Sequence, residues 1–112
     1  MRRIEAIIRT GKVADVSAAL HKVGYSGLMI SEIEGHGKQK GLEEEVRGKT
    51  YKVELLTKAR VEIIVKDEDV EKIVKAISET ARTGKIGDGK IFIHPVYDAI
   101  RIRTGERGNE AL

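Results

Sequence analysis

Two patterns alternate along the chain, and the pair of them occurs twice. Ile4-Glu5-Ala6-Ile7-Ile8-Arg9 is a short β-branched and aliphatic run, and it gives way to apolar positions three and four apart at Val13, Val16, Leu20 and Val23. The first spacing belongs to a strand, the second to one face of an amphipathic helix. The switch returns at Val61-Glu62-Ile63-Ile64-Val65-Lys66 followed by Val70, Ile73 and Ile77, with every matched pair offset by 57 residues. Each half then returns to a strand, at Leu28 to Glu34 and at Ile91 to Tyr97. Asp67-Glu68-Asp69 supplies a cap and first-turn acids for the second helix. The unit is βαβ, present twice. Two such units with right-handed crossovers, sharing one antiparallel sheet with two helices on one face, predict a two-layer α+β fold of the ferredoxin-like kind.

Three segments fall outside this plan, and function is sought there. The largest runs from Gly35 to Thr57, glycine-punctuated and heavily charged, and connections beyond about 12–15 residues are uncommon unless functional or disordered. The second is Thr83-Gly84-Lys85-Ile86-Gly87-Asp88-Gly89-Lys90, between the second helix and the last strand. The third is the tail from Ile100, opening with Arg101-Ile102-Arg103-Thr104-Gly105.

Composition narrows the chemistry. A length of 112 residues suits one ordinary domain. The absence of cysteine excludes disulfide scaffolds, thiolate nucleophiles and Cys-type metal sites. No apolar run approaches the roughly 18 residues that span a bilayer. The N-terminus alternates like a strand rather than a secretory signal, so the chain reads as cytoplasmic. A net charge of +3 from 21 basic and 18 acidic residues suits a small anionic ligand better than a nucleic acid.

Gly84 to Lys90 spells the start of a P-loop, but Ile91 stands where a magnesium-binding Ser or Thr belongs. The context is also inverted, because a P-loop enters a helix and this loop enters a strand. A Walker site is therefore rejected. Three glycines that let backbone N–H groups converge, with Lys85 and Lys90 beside them, still make an anion nest, against the plainer reading of a tight turn. Arg101 and Arg103, two apart in an extended segment, would point both forks to one side as a phosphate clamp, against the plainer reading of solvated edge charges. Gln39, the chain's one glutamine, offers a neutral oxygen to a hard cation such as Mg²⁺ or is a solvated loop residue. His21, His36 and His94 are too scattered to form a helical metal pair and read as structural or surface residues.

At these residues the chain resembles the PII family of nitrogen-regulatory signal proteins, over essentially its whole length. The most specific block is Thr83 to Ile93, and Gly35-His36-Gly37-Lys38-Gln39-Lys40-Gly41, Arg47-Gly48, Tyr51, Lys58 and Arg101 to Gly105 fall at matching places. The resemblance implies one domain over 1–112, with a T-loop at 37–55, a B-loop at 82–90 and a C-terminal loop at 100–112. It implies a homotrimer holding ATP or ADP in clefts between neighbours. Phosphates would meet Gly87, Asp88, Gly89 and Lys90, with Lys38, Arg101 and Arg103 completing the clamp. Gly35 and Thr83 would also line the nucleotide site, and adenine would lie near Ile64 and Glu62. By the same resemblance Mg²⁺ bridges the phosphates and Gln39, and 2-oxoglutarate binds among Gly37, Gln39, Lys40, Gly41 and Gly87 with its far carboxylate on Lys58. The output would be T-loop conformation, read through Arg47 and Tyr51 by an ammonium transporter, glutamine synthetase or another nitrogen-assimilation enzyme.

Departures from the family pattern mark its limits. Val46-Arg47-Gly48-Lys49-Thr50-Tyr51 keeps only part of the first signature, which weakens the expectation that Tyr51 is uridylylated or adenylylated. Met29 replaces a threonine that commonly helps hold adenine. A nucleotide-only sensor without a 2-oxoglutarate response is the alternative. An RNA-binding module on the same fold lacks stacking aromatics, with one Phe and three Tyr in the chain. A small phosphatase lacks a recognisable nucleophile or catalytic histidine. The expected role is regulatory rather than enzymatic.

Overall fold

The computed structural model describes residues 1–35 and 56–112. Among them, β1 (Arg2–Arg9), α1 (Val13–Lys22), β2 (Met29–Gly35), β3 (Leu56–Val65), α2 (Val70–Ala81) and β4 (Lys90–Pro95) follow in the predicted order. The strands form one sheet in the order β2-β3-β1-β4, every neighbour antiparallel. This is the ferredoxin-like double βαβ anticipated from the repeat.

The repeat also supplies the core. Ile4, Ala6 and Ile8 of β1 are buried, and so are their counterparts Val61, Ile63 and Val65 of β3. In the helices the buried residues Val16 and Leu20 of α1 match Ile73 and Ile77 of α2. The β1–β3 register sets Ile4 against Ile63, Ala6 against Val61 and Ile8 against Ala59, so alternate residues of both strands face the helices together. Each large aliphatic side chain buried this way contributes about 1.5–3 kcal/mol. The intervening residues Arg3, Glu5, Ile7 and Arg9 occupy the open face of the sheet, which carries a line of charge. Glu5 pairs with Arg60 at 2.9 Å and with His94 at 3.0 Å, and Glu62 lies 3.7 Å from Arg3.

Several boundaries differ from the sequence pattern. Gly35 pairs with Leu56, so the ladder between β2 and β3 takes in both ends of the expected long connection and Leu56 and Thr57 are strand. The expected residues Gly37, Lys38, Gln39, Lys40, Gly41, Arg47 and Tyr51 lie outside the described residues. β4 ends at Pro95 rather than Tyr97. The Val96 N–H still donates to the Met1 carbonyl at 3.2 Å, where the partner strand itself begins, and Tyr97 beyond it is fully exposed.

The expected Asp cap of the second helix is also corrected. Asp67, Glu68 and Asp69 form a 3-10 turn ahead of α2, and no side chain caps the helix. Stronger partners hold these carboxylates. Asp67 accepts from the N-terminal amino group of Met1 at 2.5 Å, and Asp69 accepts from the Tyr25 hydroxyl and pairs with Lys72 at 3.5 Å.

Candidate functional site

The loop between α2 and β4 is built around one carboxylate. Asp88 Oδ2 accepts the backbone N–H groups of Thr83 and Gly84, each at 2.9 Å, while Oδ1 accepts the Thr83 hydroxyl and the Arg9 Nε–H, the latter at 3.3 Å. Thr83 Oγ1 in turn accepts the Lys85 N–H at 3.1 Å. These bonds hold the Asp88 carboxyl well below the usual aspartate range, the Thr83 contacts first among them. The first half of the loop thus spends its N–H groups on an internal anion.

The second half is oriented from the sheet. Arg9 at the end of β1 faces Lys58 of β3 as its cross-strand partner. Arg9 Nη2 donates to the Ile86 carbonyl at 2.9 Å, and the Lys58 ammonium donates to the Gly87 carbonyl. Both peptides are trans, and in a trans peptide C=O and N–H point in opposite directions. The N–H groups of Gly87 and Asp88 are therefore turned away from the two cations. Two successive N–H groups presented together are the element of an anion nest. Gly87 reaches this arrangement at φ 103°, a region that favours glycine. At Gly89 the need is steric as well, because a Cβ there would lie 1.7 Å from the Ile7 carbonyl oxygen.

Lys58 is pulled below its ordinary value of 10.5, by burial first and by the adjacent Arg9 charge second, with Asp88 opposing. Lys85 and Lys90 are exposed at either end of the loop. A cleft of about 330 Å³ opens beside it, lined by the apolar Ile8, Ile77, Ala81 and Ile91 together with Asp88, Gly89 and Lys90. The assembly can receive an anion on backbone donors with lysines at its rim.

Of the residues expected at the site, Thr83, Gly87, Asp88, Gly89, Lys90 and Lys58 come together in this loop and its floor. Asp88 enters with its carboxylate turned inward as the loop's organiser. Glu62 and Ile64 share the open face of β3. Ile64 lines a second cavity of about 550 Å³ with Tyr25, Met29, Lys66 and Lys72, while Glu62 is engaged by Arg3. The expected pairing of Arg101 and Arg103 on one extended run is overturned. Residues 102–104 form a turn that Gly105 closes at φ 75°, with the Gly105 N–H donating to the Arg101 carbonyl at 2.7 Å. Arg101 lies against Glu106 at 2.8 Å instead. Among the described residues no hydrogen bond or ion pair joins either arginine to the loop at 83–90. Arg9 was not anticipated at all. Its partner Asp88 is 79 residues away, and only the strand register exposes the connection.

A P-loop context is excluded by the same geometry, since the segment leaves α2 and enters β4. Among the described residues no group of three or more His, Asp or Glu side chains converges as a metal site, and no helix is long and apolar enough to cross a membrane.

Comparison with known proteins agrees with this geometry. The family model described as nitrogen regulatory protein P-II matches residues 1–106. The chain is 52% identical over 112 residues to nitrogen regulatory protein P-II 1 of Methanothermobacter thermautotrophicus, covering all of this chain and 97% of that one. It is 47% identical over 112 residues to the nitrogen regulatory protein P-II of Rhodospirillum rubrum, with both chains covered fully. Among solved structures, Arabidopsis thaliana PII bound to citrate superimposes with a TM-score of 0.82 at 41% identity, covering 99% of this chain and 91% of that one.

Proposed function

Because the chain belongs to the P-II family of nitrogen regulatory proteins, we propose that it signals energy and carbon–nitrogen status by binding ATP or ADP on the loop at 82–90 and, with Mg-ATP, 2-oxoglutarate. The observation that carries this reading is the presentation of the Gly87 and Asp88 N–H groups by carbonyls fastened to Arg9 and Lys58. Backbone donors recognise phosphate without demanding a particular side chain, and Lys90 and Thr83 stand beside them.

The remainder of the site follows from the family resemblance. Adenine would lie against Ile64 and Glu62. Arg101 and Arg103, which among the described residues make no bond to this loop, would reach a nucleotide from a neighbouring subunit of a homotrimer. Gln39, with Lys38, would hold the phosphates and Mg²⁺, and Lys58 would take the distal carboxylate of 2-oxoglutarate beside Gly35, Gly37, Lys40, Gly41 and Gly87. Lys58 already donates to a loop carbonyl, so a carboxylate at that point exchanges one oxygen acceptor for a charged one. Ligand occupancy would then be read at 37–55 by Arg47 and Tyr51, with an ammonium transporter or a nitrogen-assimilation enzyme such as glutamine synthetase as target. The role is regulatory rather than catalytic.

Titration calorimetry with ATP, ADP and 2-oxoglutarate, with and without Mg²⁺, tests this. The expected result is binding of both nucleotides, and of 2-oxoglutarate only in the presence of Mg-ATP. Equal 2-oxoglutarate binding without nucleotide overturns the coupled site. Nucleotide binding with no 2-oxoglutarate response leaves a sensor of adenine nucleotides alone.

A further inference from the structure

We infer that Arg9 is a positioning residue for anion binding, holding the loop at 83–90 in its receptive shape without itself touching the ligand. The inference rests on the nucleotide reading above and adds to it a residue outside the expected ligand set.

Arg9 makes two bonds to two different parts of the loop. Its Nε reaches the Asp88 carboxylate at 3.3 Å, and its Nη2 reaches the Ile86 carbonyl at 2.9 Å. A guanidinium is a rigid planar fork, so these bonds fix Asp88 and the Ile86–Gly87 peptide relative to each other and to the end of β1. The Ile86–Gly87 peptide is the one whose N–H belongs to the nest. With the carbonyl fastened, that N–H cannot rotate inward, and Gly87 has no side chain to restrict the rotation otherwise. Asp88 shares the dependence, since among the described residues its remaining donors lie at Thr83 and Gly84 within the same loop. Arg9 is thus the contact that anchors Asp88, and with it the first half of the loop, to the sheet.

Lys58 cannot replace it. The Lys58 ammonium is a single-point donor on the next carbonyl, at Gly87, and it is the group that an acid ligand would draw away. Arg9 remains as the tether that survives such an exchange. The side chain is about a quarter exposed, enough shielding from water for its two hydrogen bonds to constrain the loop.

Arg9→Ala and Arg9→Lys test the role by two readouts. The first is the backbone amide spectrum of ligand-free protein, and the second is ADP affinity by calorimetry. Arg9→Ala is expected to move the Gly87 and Asp88 amide resonances and to weaken ADP about tenfold or more, the loss of charge-assisted bonds that orient a donor. Arg9→Lys, which can satisfy one acceptor but not both, should recover part of the affinity. Thermal melting of each variant separates this from loss of fold, because a purely structural role lowers the melting temperature without singling out the two amides. Unmoved amides, or ADP affinity within about threefold of wild type in Arg9→Ala, overturn the inference. Wild-type protein that binds no adenine nucleotide sinks the functional reading instead. In that case the amide comparison and titration with inorganic pyrophosphate decide Arg9 separately: moved Gly87 and Asp88 amides with weakened pyrophosphate binding in Arg9→Ala uphold it, and unmoved amides overturn it.

Discussion

Arg9 and Lys58 face each other across β1 and β3, and from that pair of positions they hold two consecutive carbonyls, those of Ile86 and Gly87. A strand register thereby decides which way the peptides of a distant glycine loop point. The loop's donors are aimed outward because its acceptors are occupied beneath.

The close approach of this loop to β1 makes Gly89 irreplaceable. In Gly89→Ala the new methyl group would sit 1.7 Å from the Ile7 carbonyl oxygen, at a φ of 100° that already disfavours it. The expected loss is about 2 kcal/mol or more of unfolding free energy, together with nucleotide binding. Gly84→Ala is the control. Its φ of 86° is strained too, but among the described residues no atom lies within 4 Å of the added carbon, and the loss should be about 1 kcal/mol. Denaturant midpoints of the two variants give the comparison.

Acid should loosen the structure in a defined window. Asp88, Asp67, Asp69 and Asp98 are all held below the ordinary aspartate value of 3.8, each by hydrogen bonds to its carboxylate. A depressed folded-state value means stability that is complete above the ordinary value and drains as pH falls through it toward the folded one. Unfolding midpoints should therefore hold near neutrality and decline from about pH 4 downward. Asp88→Asn should show a shallower decline, seen in denaturant titrations at successive pH values.

Tyr25 should ionise late. Burial first, then its hydrogen bond to Asp69, pushes its hydroxyl from 10.0 up to about 12, whereas Tyr97 is fully exposed. A raised value of this kind stabilises the fold below pH 10 and is lost as pH climbs toward 12. Alkaline ultraviolet titration should show a tyrosine that ionises well above the ordinary value of 10.0, and Tyr25→Phe should remove that late step while lowering stability by about 1 kcal/mol.

Burial separates two isoleucines of equal size. Ile73 is fully buried under the sheet and Ile102 is 99% exposed. Ile73→Ala should cost about 2–5 kcal/mol, and Ile102→Ala should stay within about 0.5 kcal/mol of wild type. Equal effects in thermal melts would contradict the assigned core.

Much of the architecture was legible because the repeat is physical. The offset that pairs Ile4 with Val61 and Leu20 with Ile77 pairs residues that are buried together, so periodicity read both the elements and the core. Errors arose where a local rule met a distant competitor. Asp69 would cap α2 in isolation, but Tyr25 reaches it from the end of α1. The arginines at 101 and 103 share a side only on an extended chain, and Gly105 turns that chain back on itself. Arg9 carried no local signal, being one more charge at a strand end until β1 was laid beside β3 and β4.

The central claim is that the outward N–H groups of Gly87 and Asp88 receive the anion. Amide shifts followed by two-dimensional NMR during titration with ADP test it most directly. The account predicts the largest and earliest shifts at Gly87 and Asp88, with the amides of Thr83 and Gly84 moving less because Asp88 already holds them. Saturable binding that leaves those two amides in place while shifting others would contradict it.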